Sequence, residues 1–464
     1  MPPAPAEPDI PPLVPPDVRT AEGKALRATI PHKKLGGWKH HAHRKNPIAI
    51  LRGSDRDRLP ELVPIRYGRM LQSPFAFYRG SAALMAEDLA HAPTSNLRVQ
   101  ACGDCHLANF GGFATPERNV IFDINDFDET LPAPWDWDVR RLVASFVLAA
   151  RSRSLSDKQG RKAAVTCARS YRENMQAFSE MDPLRLWYSR MSSDDFVDSL
   201  PANRRKYARK GIRKARARGG SELAYPKLAD AVGGQISIKD QPPLIFHPEG
   251  IRTHESHRLL EAILHGYRDT LTEERRALFD RYRLVDVAIK AVGIGSVGRW
   301  CLIALLMSDR NSPLFLQVKE AEASVLEPFA GKSVYQHHGQ RVVMGQLLMQ
   351  PASDVFIGWV TGKAGRHFYL RQFRDAKIKP RIETFDPKMF DTYARACGWV
   401  LARAHAKSSP IAPAISGYLG TDDEFDDAMG DFAVAYADQA EQDHAALKAA
   451  VRKGAIAVRE EQGE

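Results

Sequence analysis

The sequence predicts an α+β chain in which a small antiparallel sheet is set between helical segments. Two observations carry that expectation. Apolar residues recur at helical spacing on both flanks, in DVRRLVASFVLAARS (138–152) and in MFDTYARACGWVLARAHAKS (389–408). Between the flanks, RLVDVAIKAV, RWCLIALLMS and PLFLQVKE are short apolar runs separated by the turn signals GIGSVG and SDRNSP. That alternation reads as a three-stranded antiparallel meander.

Taken in order, residues 1–60 are rich in Pro, Lys, His and Arg and read as a flexible lead-in, with ordered structure expected from about residue 64. Helices are expected over 67–71 and 80–89, then a loop-rich stretch over 101–136, then the helix 138–152. Residues 157–285 read mainly as helix, so 61–282 is expected to form a helical lobe. Residues 283–380 form the β-rich lobe, with a helix over 338–350 and further strands at 354–361 and 367–373. Residues 381–464 return to helix. Of the 464 residues, 44% are hydrophobic and 26% charged, which fits a soluble globule rather than a disordered chain. The net charge of +10 is modest for this length and admits an anionic ligand without by itself arguing for nucleic acid. Five cysteines do not form a disulfide framework, so a reducing cytoplasm is expected. No apolar stretch is long enough to span a membrane, and the N-terminus has no basic region followed by an apolar core.

The polar residues concentrate in CGDCHLANFGGF (102–113) and NVIFDINDFDET (119–130). Asp104, His106, Asn109, Asp123, Asn125, Asp126 and Asp128 fall within 25 residues. Carboxylates this close repel one another, which implies a bound cation or a solvated surface, and oxygen ligands favour a hard ion such as Mg²⁺. Cys102, Cys105 and His106 offer zinc as an alternative, but no second ligand pair follows. Spacing sharpens the case. Kinase-type phosphotransfer needs an Asp to orient the acceptor hydroxyl and take its proton. It also needs an Asn a few residues on and a further Asp on the next hairpin to hold the metal. Asp104, Asn109 and Asp126 fit those places, with Asp128 as a secondary metal ligand.

Gly293, Gly295 and Gly298 match GxGxxG, with Ser296 inside the loop. A dinucleotide fold would place a helix after that loop, whereas here a strand, a turn and a second strand ending near Lys319 follow. This is the pattern of a phosphate-covering hairpin, in which Lys319 pairs with phosphate oxygens. A Glu partner for Lys319 stays open: Glu320, Glu322 and Glu327 are near in sequence, but the helix over 338–350 holds Gln340 and Gln346 and no acid.

CGDCHLANF followed by NDFDE resembles the aminoglycoside-phosphotransferase-like branch of the protein-kinase-like superfamily, whose loop reads HGDxHxxN before an IDF segment. The first His of that pattern is Cys102 here. The resemblance implies structural support from His106, and from Asp138 of WDWDVRRL as the acid that braces the catalytic loop; a plain helix N-terminal acid is the alternative for Asp138. The segment 393–408 resembles the helix that precedes this loop in phosphotransferases, yet it lies about 300 residues after it. The pieces therefore stand in rotated order, as in a circularly permuted, bilobal protein-kinase-like fold. SPFAFYRG (73–80), CGDCHLANFG, FDINDFDET, WDWDVRRL, VGIGSVG, LFLQVKEA, GQLLMQPASDVFIGW and ARAHAKS together resemble the bacterial domain-of-unknown-function family 2252. The family-2252 resemblance implies no activity; what the aminoglycoside-phosphotransferase-like resemblance implies is an ATP- and Mg²⁺-dependent phosphotransferase acting on a small-molecule acceptor. Nucleotide binding without turnover and nucleotidyl transfer are the alternatives. The basic run from Arg204 to Arg218 leaves nucleic-acid contact open beside a solvated helix face.

Overall fold

A computed structural model describes residues 13–459 except 218–219, 233–234, 250–252, 292 and 374–376. Residues 1–12 of the lead-in, Val292 before the glycine loop and Arg218 at the end of the basic run therefore lie outside the described residues.

Four long helices, Trp135–Ser152, Asp157–Ser179, Pro387–Ser408 and Glu424–Arg452, form the helical core. Two of them carry a side-chain cap where they start. Ser156 and Gln159 make a reciprocal capping box, and Asp386 accepts from Met389 N at 2.9 Å with Pro387 at the first helical position. Trp135–Ser152 is buried all round through Ala150, so its polar residues must be satisfied internally. Its aromatic end, Trp135, stacks on Tyr171 with ring centroids 5.5 Å apart.

The second part is a six-stranded antiparallel sheet. Its order in space is Gly358–Thr361, His367–Gln372, Pro313–Glu320, Cys301–Ser308, Tyr282–Lys290, Ile245–Phe246. The expected three-stranded meander is its centre, and the two further expected strands extend one side of it. Register places Lys319 opposite Cys301 on one neighbour and opposite Tyr369 on the other. The helix His338–Met349 lies between the lysine strand and the strand Gly358–Thr361 in sequence, close to the 338–350 expected.

Four expectations need correction. The lead-in is helical from Pro16, with helices Pro16–Thr29, His32–Gly36 and Pro47–Gly53 packed on the C-terminal helices. Arg44 is buried between Asp88 and Asp443, at 2.7 and 2.6 Å. Its partners lie far along the chain, so composition alone read the segment as solvated. The stretch 101–136 is not mainly loop: Arg98–Ala101 pairs with Leu131–Pro134, and Phe110–Ala114 pairs with Val120–Ile124. Both strands of the second pair are buried throughout, which removes the alternation that marks a strand. Within 157–285, Ala229–Val232 and Gln235–Ile238 are paired strands. The helix His254–Arg268, assigned to the large lobe, packs on the sheet, where Tyr267 Oη donates to Phe356 O at 2.6 Å.

No described helix is long and apolar enough to cross a membrane, and all five cysteines are unpaired and buried.

His337 and His338 are partly buried at the start of their helix, and His337 stacks on His367 with centroids 4.0 Å apart. Burial, then the neighbouring His367, pushes His337 down to about 4, and burial also lowers His338 and His367. The unfolded chain takes up these protons first. Their contribution to stability is therefore complete above the ordinary histidine value and lost as pH falls toward 4. Thermal unfolding of the wild type should drop more between pH 7 and 5 than that of His337→Gln. Parallel pH curves would remove His337 from the account.

Candidate active site

The sheet and the polar hairpin face each other across a cleft of about 850 Å³. Its walls bring together Asp104, His106, Asn109, Asp126, Asp128, Gly293, Gly295, Ser296 and Lys319. Gly298 and Asp138 stand just behind it.

Asp138 holds the loop from below. Its Oδ2 accepts from Cys102 N at 2.7 Å and its Oδ1 from Gly103 N at 3.0 Å, while His405 Nε2 approaches Oδ2 at 3.2 Å. Gly103 has φ +82°, and a Cβ there would lie 2.2 Å from Glu129 O, so the turn that presents Asp104 requires glycine. The helix Pro387–Ser408 packs behind the same loop, where Tyr393 Oη donates to Leu107 O at 2.9 Å and Phe110 O at 3.1 Å. Residues 393–408 and 102–109 are thus in contact although about 300 positions apart. Cys102 is buried, burial pushes its thiol up to about 11, and it packs beside Cys105. Cys102, Cys105 and Asp138 lie close enough to hold an ion, but Asp138 already accepts from two backbone amides. The zinc alternative gains nothing from this geometry.

Asp104 projects into the cleft with Oδ1 accepting from Arg141 Nε at 2.6 Å. Burial raises its pKa, and Arg141 opposes that rise. A carboxylate moved toward neutrality in this way is a better proton acceptor than one in water. His106 is held neutral, first by burial and then by Arg79 and Arg141. Asn109 Nδ2 donates to Asp104 O at 2.8 Å, which leaves the amide oxygen for the cleft. Among the described residues Asp126 accepts only from Asp128 N, at 3.3 Å, and burial with the adjacent Asp128 raises its pKa. Asn109 Oδ1 and Asp126 Oδ2 are, among the described residues, free oxygens of the kind a hard cation takes, and binding a cation would relieve the repulsion on Asp126.

Asp128 has a different place from that expected. Its Oδ2 accepts from Lys319 Nζ at 2.6 Å and Ser296 Oγ at 3.1 Å, and its Oδ1 from Tyr369 Oη at 2.6 Å. Burial works against both charges of the pair, yet Lys319 holds Asp128 well below the carboxylate range. Asp126 and Asp128 likewise hold Lys319 well above the ordinary lysine value. The acid that sequence left open for Lys319 is therefore Asp128. Glu320 pairs with Arg366 and Glu322 with Arg299.

The glycine loop is docked on the helical part. Ile294 packs with Tyr67, Met70 and Phe77, and Val297 packs with Leu62 and Ile65. Arg58 donates to the carbonyls of Val297 and Gly295, and burial pushes Arg58 down to about 9. Gly298 has φ +88° against the Arg58 side chain, so its glycine is structural. Gly293 and Gly295 differ. A Cβ at Gly293 would meet no described atom within 4 Å, and one at Gly295 would make only an ordinary contact with Arg79 O, at 3.7 Å.

Arg141, Tyr369 and Arg58 were not singled out by sequence. Arg141 carried a signal, one helical turn from Asp138 on the same face. Arg58 carried none, since its partners lie about 240 residues away. The basic helix Ala202–Ala217 contributes Lys214 to the cleft wall while Ile212 is buried and Arg209 pairs with Asp198, so it is not simply a solvated face. In all, eleven lysines and arginines line the cleft against four carboxylates, a balance that suits an anionic ligand.

Residues 58–450 match the family described as uncharacterized protein conserved in bacteria (DUF2252), and the chain belongs to that family. No curated protein and no solved structure matches the chain.

Lys319→Met should destabilise the fold toward the lower end of the roughly 3–5 kcal/mol typical of breaking a buried pair, because the Asp128 side chain is a quarter exposed. Adding Asp128→Asn should recover part of the loss in a denaturant-unfolding double-mutant cycle. Simple additivity of the two substitutions would show that the pair contributes no coupling.

Proposed function

We propose that the protein is an ATP- and Mg²⁺-dependent phosphotransferase built on a circularly permuted, bilobal protein-kinase-like fold, with a small molecule as acceptor. The observation that carries this reading is the convergence of Asp104, Asn109, Asp126, Lys319 and an unfilled glycine loop on one cationic cleft. Gly293 and Gly295 have no steric need for glycine from the protein itself, whereas close approach of a phosphate chain to backbone amides would need it. The order strand, glycine loop, strand, turn, lysine strand, helix, two strands supports the permuted reading, as does the seating of the helix Pro387–Ser408 behind the Asp104 loop.

In this reading Asn109 and Asp126 would hold Mg²⁺, which when bound would supply neutralisation of the phosphate charge. Asp104 orients the acceptor hydroxyl. As its oxygen bonds to the γ-phosphorus, the proton passes to Asp104, the bridging P–O bond breaks, and ADP leaves. Arg141 keeps Asp104 in position through its other oxygen. Lys319, already charged and aimed by Asp128, supplies a cation at the phosphates. Asp128 thus serves the phosphate clamp rather than the metal.

A second reading, nucleotide binding without turnover, is favoured by the Arg141 contact, which already occupies one oxygen of Asp104. ATP labelled separately at the α and γ positions, incubated with Mg²⁺ and a metabolite extract, separates the readings. Transfer of γ label supports phosphotransfer, transfer of α label indicates nucleotidyl transfer, and binding with neither indicates the second reading.

Mg²⁺-ATP should raise the melting temperature by mass action, and Asp126→Asn should remove most of the Mg²⁺-dependent part while the apo protein stays folded. Equal stabilisation with and without Mg²⁺ would dismiss Asn109 and Asp126 as ligands. Asp104→Asn should slow turnover by about two to four orders of magnitude with little change in ATP affinity; turnover at the wild-type rate would move the base elsewhere.

The glycines offer a separate check by calorimetry. Gly298→Ala should lose about 1–2 kcal/mol of stability through its left-handed backbone. Gly295→Ala should keep its stability and lose nucleotide-induced stabilisation; unchanged nucleotide response would argue that no phosphate approaches the loop there.

A further inference from the structure

Five arginines line the cleft, and four are committed to protein acceptors. Arg58 holds the glycine-loop carbonyls, and Arg66 donates to Asp55 at 2.8 Å and Gly80 O at 2.9 Å. Arg299 pairs with Glu322 at 2.7 Å, and Arg371 donates to Gln317 Oε1 at 3.0 Å and Asn125 O at 3.2 Å. Arg79 is the exception. It makes no hydrogen bond or ion pair among the described residues, and its Nε is buried without a partner. Its guanidinium lies 5.9 Å from the Phe75 ring centroid, a weak contact that leaves its N–H donors unused.

Arg79 is held firmly in spite of this. It ends the helix Pro74–Arg79, and a Cβ on the following Gly80 would lie 2.9 Å from Met70 and 3.0 Å from Ile294 of the glycine loop. The backbone bearing Arg79 is thus packed directly against the loop, and Arg79 O is the described atom nearest to a Cβ at Gly295. Asp104 and Asp126 are the charges that favour its cationic form against burial. A partly buried guanidinium with an unmet donor, fixed between a glycine loop and two carboxylates, is a site for an anion that comes from outside the protein.

We propose that Arg79 binds the terminal phosphate of the nucleotide and stabilises its charge during transfer to the acceptor. The assignment rests on the phosphotransfer reading of the cleft and adds a residue to it. Arg79 reaches the cleft from the helix Pro74–Arg79 and Lys319 from the sheet, so the phosphate would be held by two separate elements. The fork of the guanidinium suits two phosphate oxygens, which a lysine at the same place cannot reproduce.

The test uses the full chain, inorganic tripolyphosphate as the probe, and the variants Arg79→Gln and Arg79→Lys. Both should match the wild type in circular dichroism, since Arg79 has no hydrogen-bond or ion-pair partner to lose among the described residues and only a weak contact with the Phe75 ring. Tripolyphosphate affinity by calorimetric titration should fall about tenfold or more in Arg79→Gln, as expected for loss of charge-assisted hydrogen bonds, and less in Arg79→Lys. Equal affinity in wild type and Arg79→Gln would overturn the proposal, as would absence of tripolyphosphate binding to the wild type. If tripolyphosphate binds through Arg79 but Mg²⁺-ATP does not bind, the anion site stands while the nucleotide assignment fails. With Mg²⁺-ATP bound, Arg79→Lys should lower the rate of γ transfer more than it weakens ATP. An equal loss in both would reduce Arg79 to ground-state binding and overturn its role in transfer.

Discussion

The buried contact between Lys319 and Asp128 ties the sheet to the polar hairpin, and the cleft depends on it. Charges taken out of water are costly unless every donor and acceptor is met. Here the Asp128 carboxylate receives Lys319, Tyr369 and Ser296 from two strands and the glycine loop. Arg341 reinforces the junction by donating to the backbone carbonyls of Asp128 and Thr130. The interaction fixes where the lysine strand sits relative to Asp104 and Asp126, and so sets the width of the space between them. It also leaves an oxygen of Asp126 uncommitted among the described residues.

A second junction works through backbone rather than charge. Asp138, His405 and Tyr393 converge on the loop that carries Asp104 and Asn109, although they come from helices about 250 residues apart. Arg403 on the same C-terminal helix pairs with Asp123, inside the strand that leads to Asp126. One helix therefore positions both polar loops, and that role needs only spatial adjacency. Where the chain happens to begin and end does not matter to it.

The N-terminal helices complete the cleft. Arg58, Arg66 and Arg79 line the cleft beside the glycine loop, two of them bound to backbone or neighbouring acids and one unpaired among the described residues. The loop is thereby closed down onto the large part of the molecule by Ile294 and Val297. Opening it would expose two apolar clusters, so ligand entry is expected from the lysine-rich side, where Lys214 and Lys227 stand.

Sequence alone determined the long helices, the central meander and the grouping of Asp104, Asn109, Asp126 and the glycine loop as polar chemistry. These follow from periodicity and short spacings, which act locally. The same local rules misread the lead-in and the hairpin 110–124, because a segment buried by distant partners loses the alternation that marks it. Only tertiary structure decided that Asp128 is the partner of Lys319, that Arg141 shares Asp104, and that Arg58 clamps the glycine loop. Each joins residues tens to hundreds of positions apart, and no composition or period records such a pairing. Which cleft arginine is left unpaired among the described residues is decided the same way: only the folded neighbourhood leaves the Arg79 donors without an acceptor there.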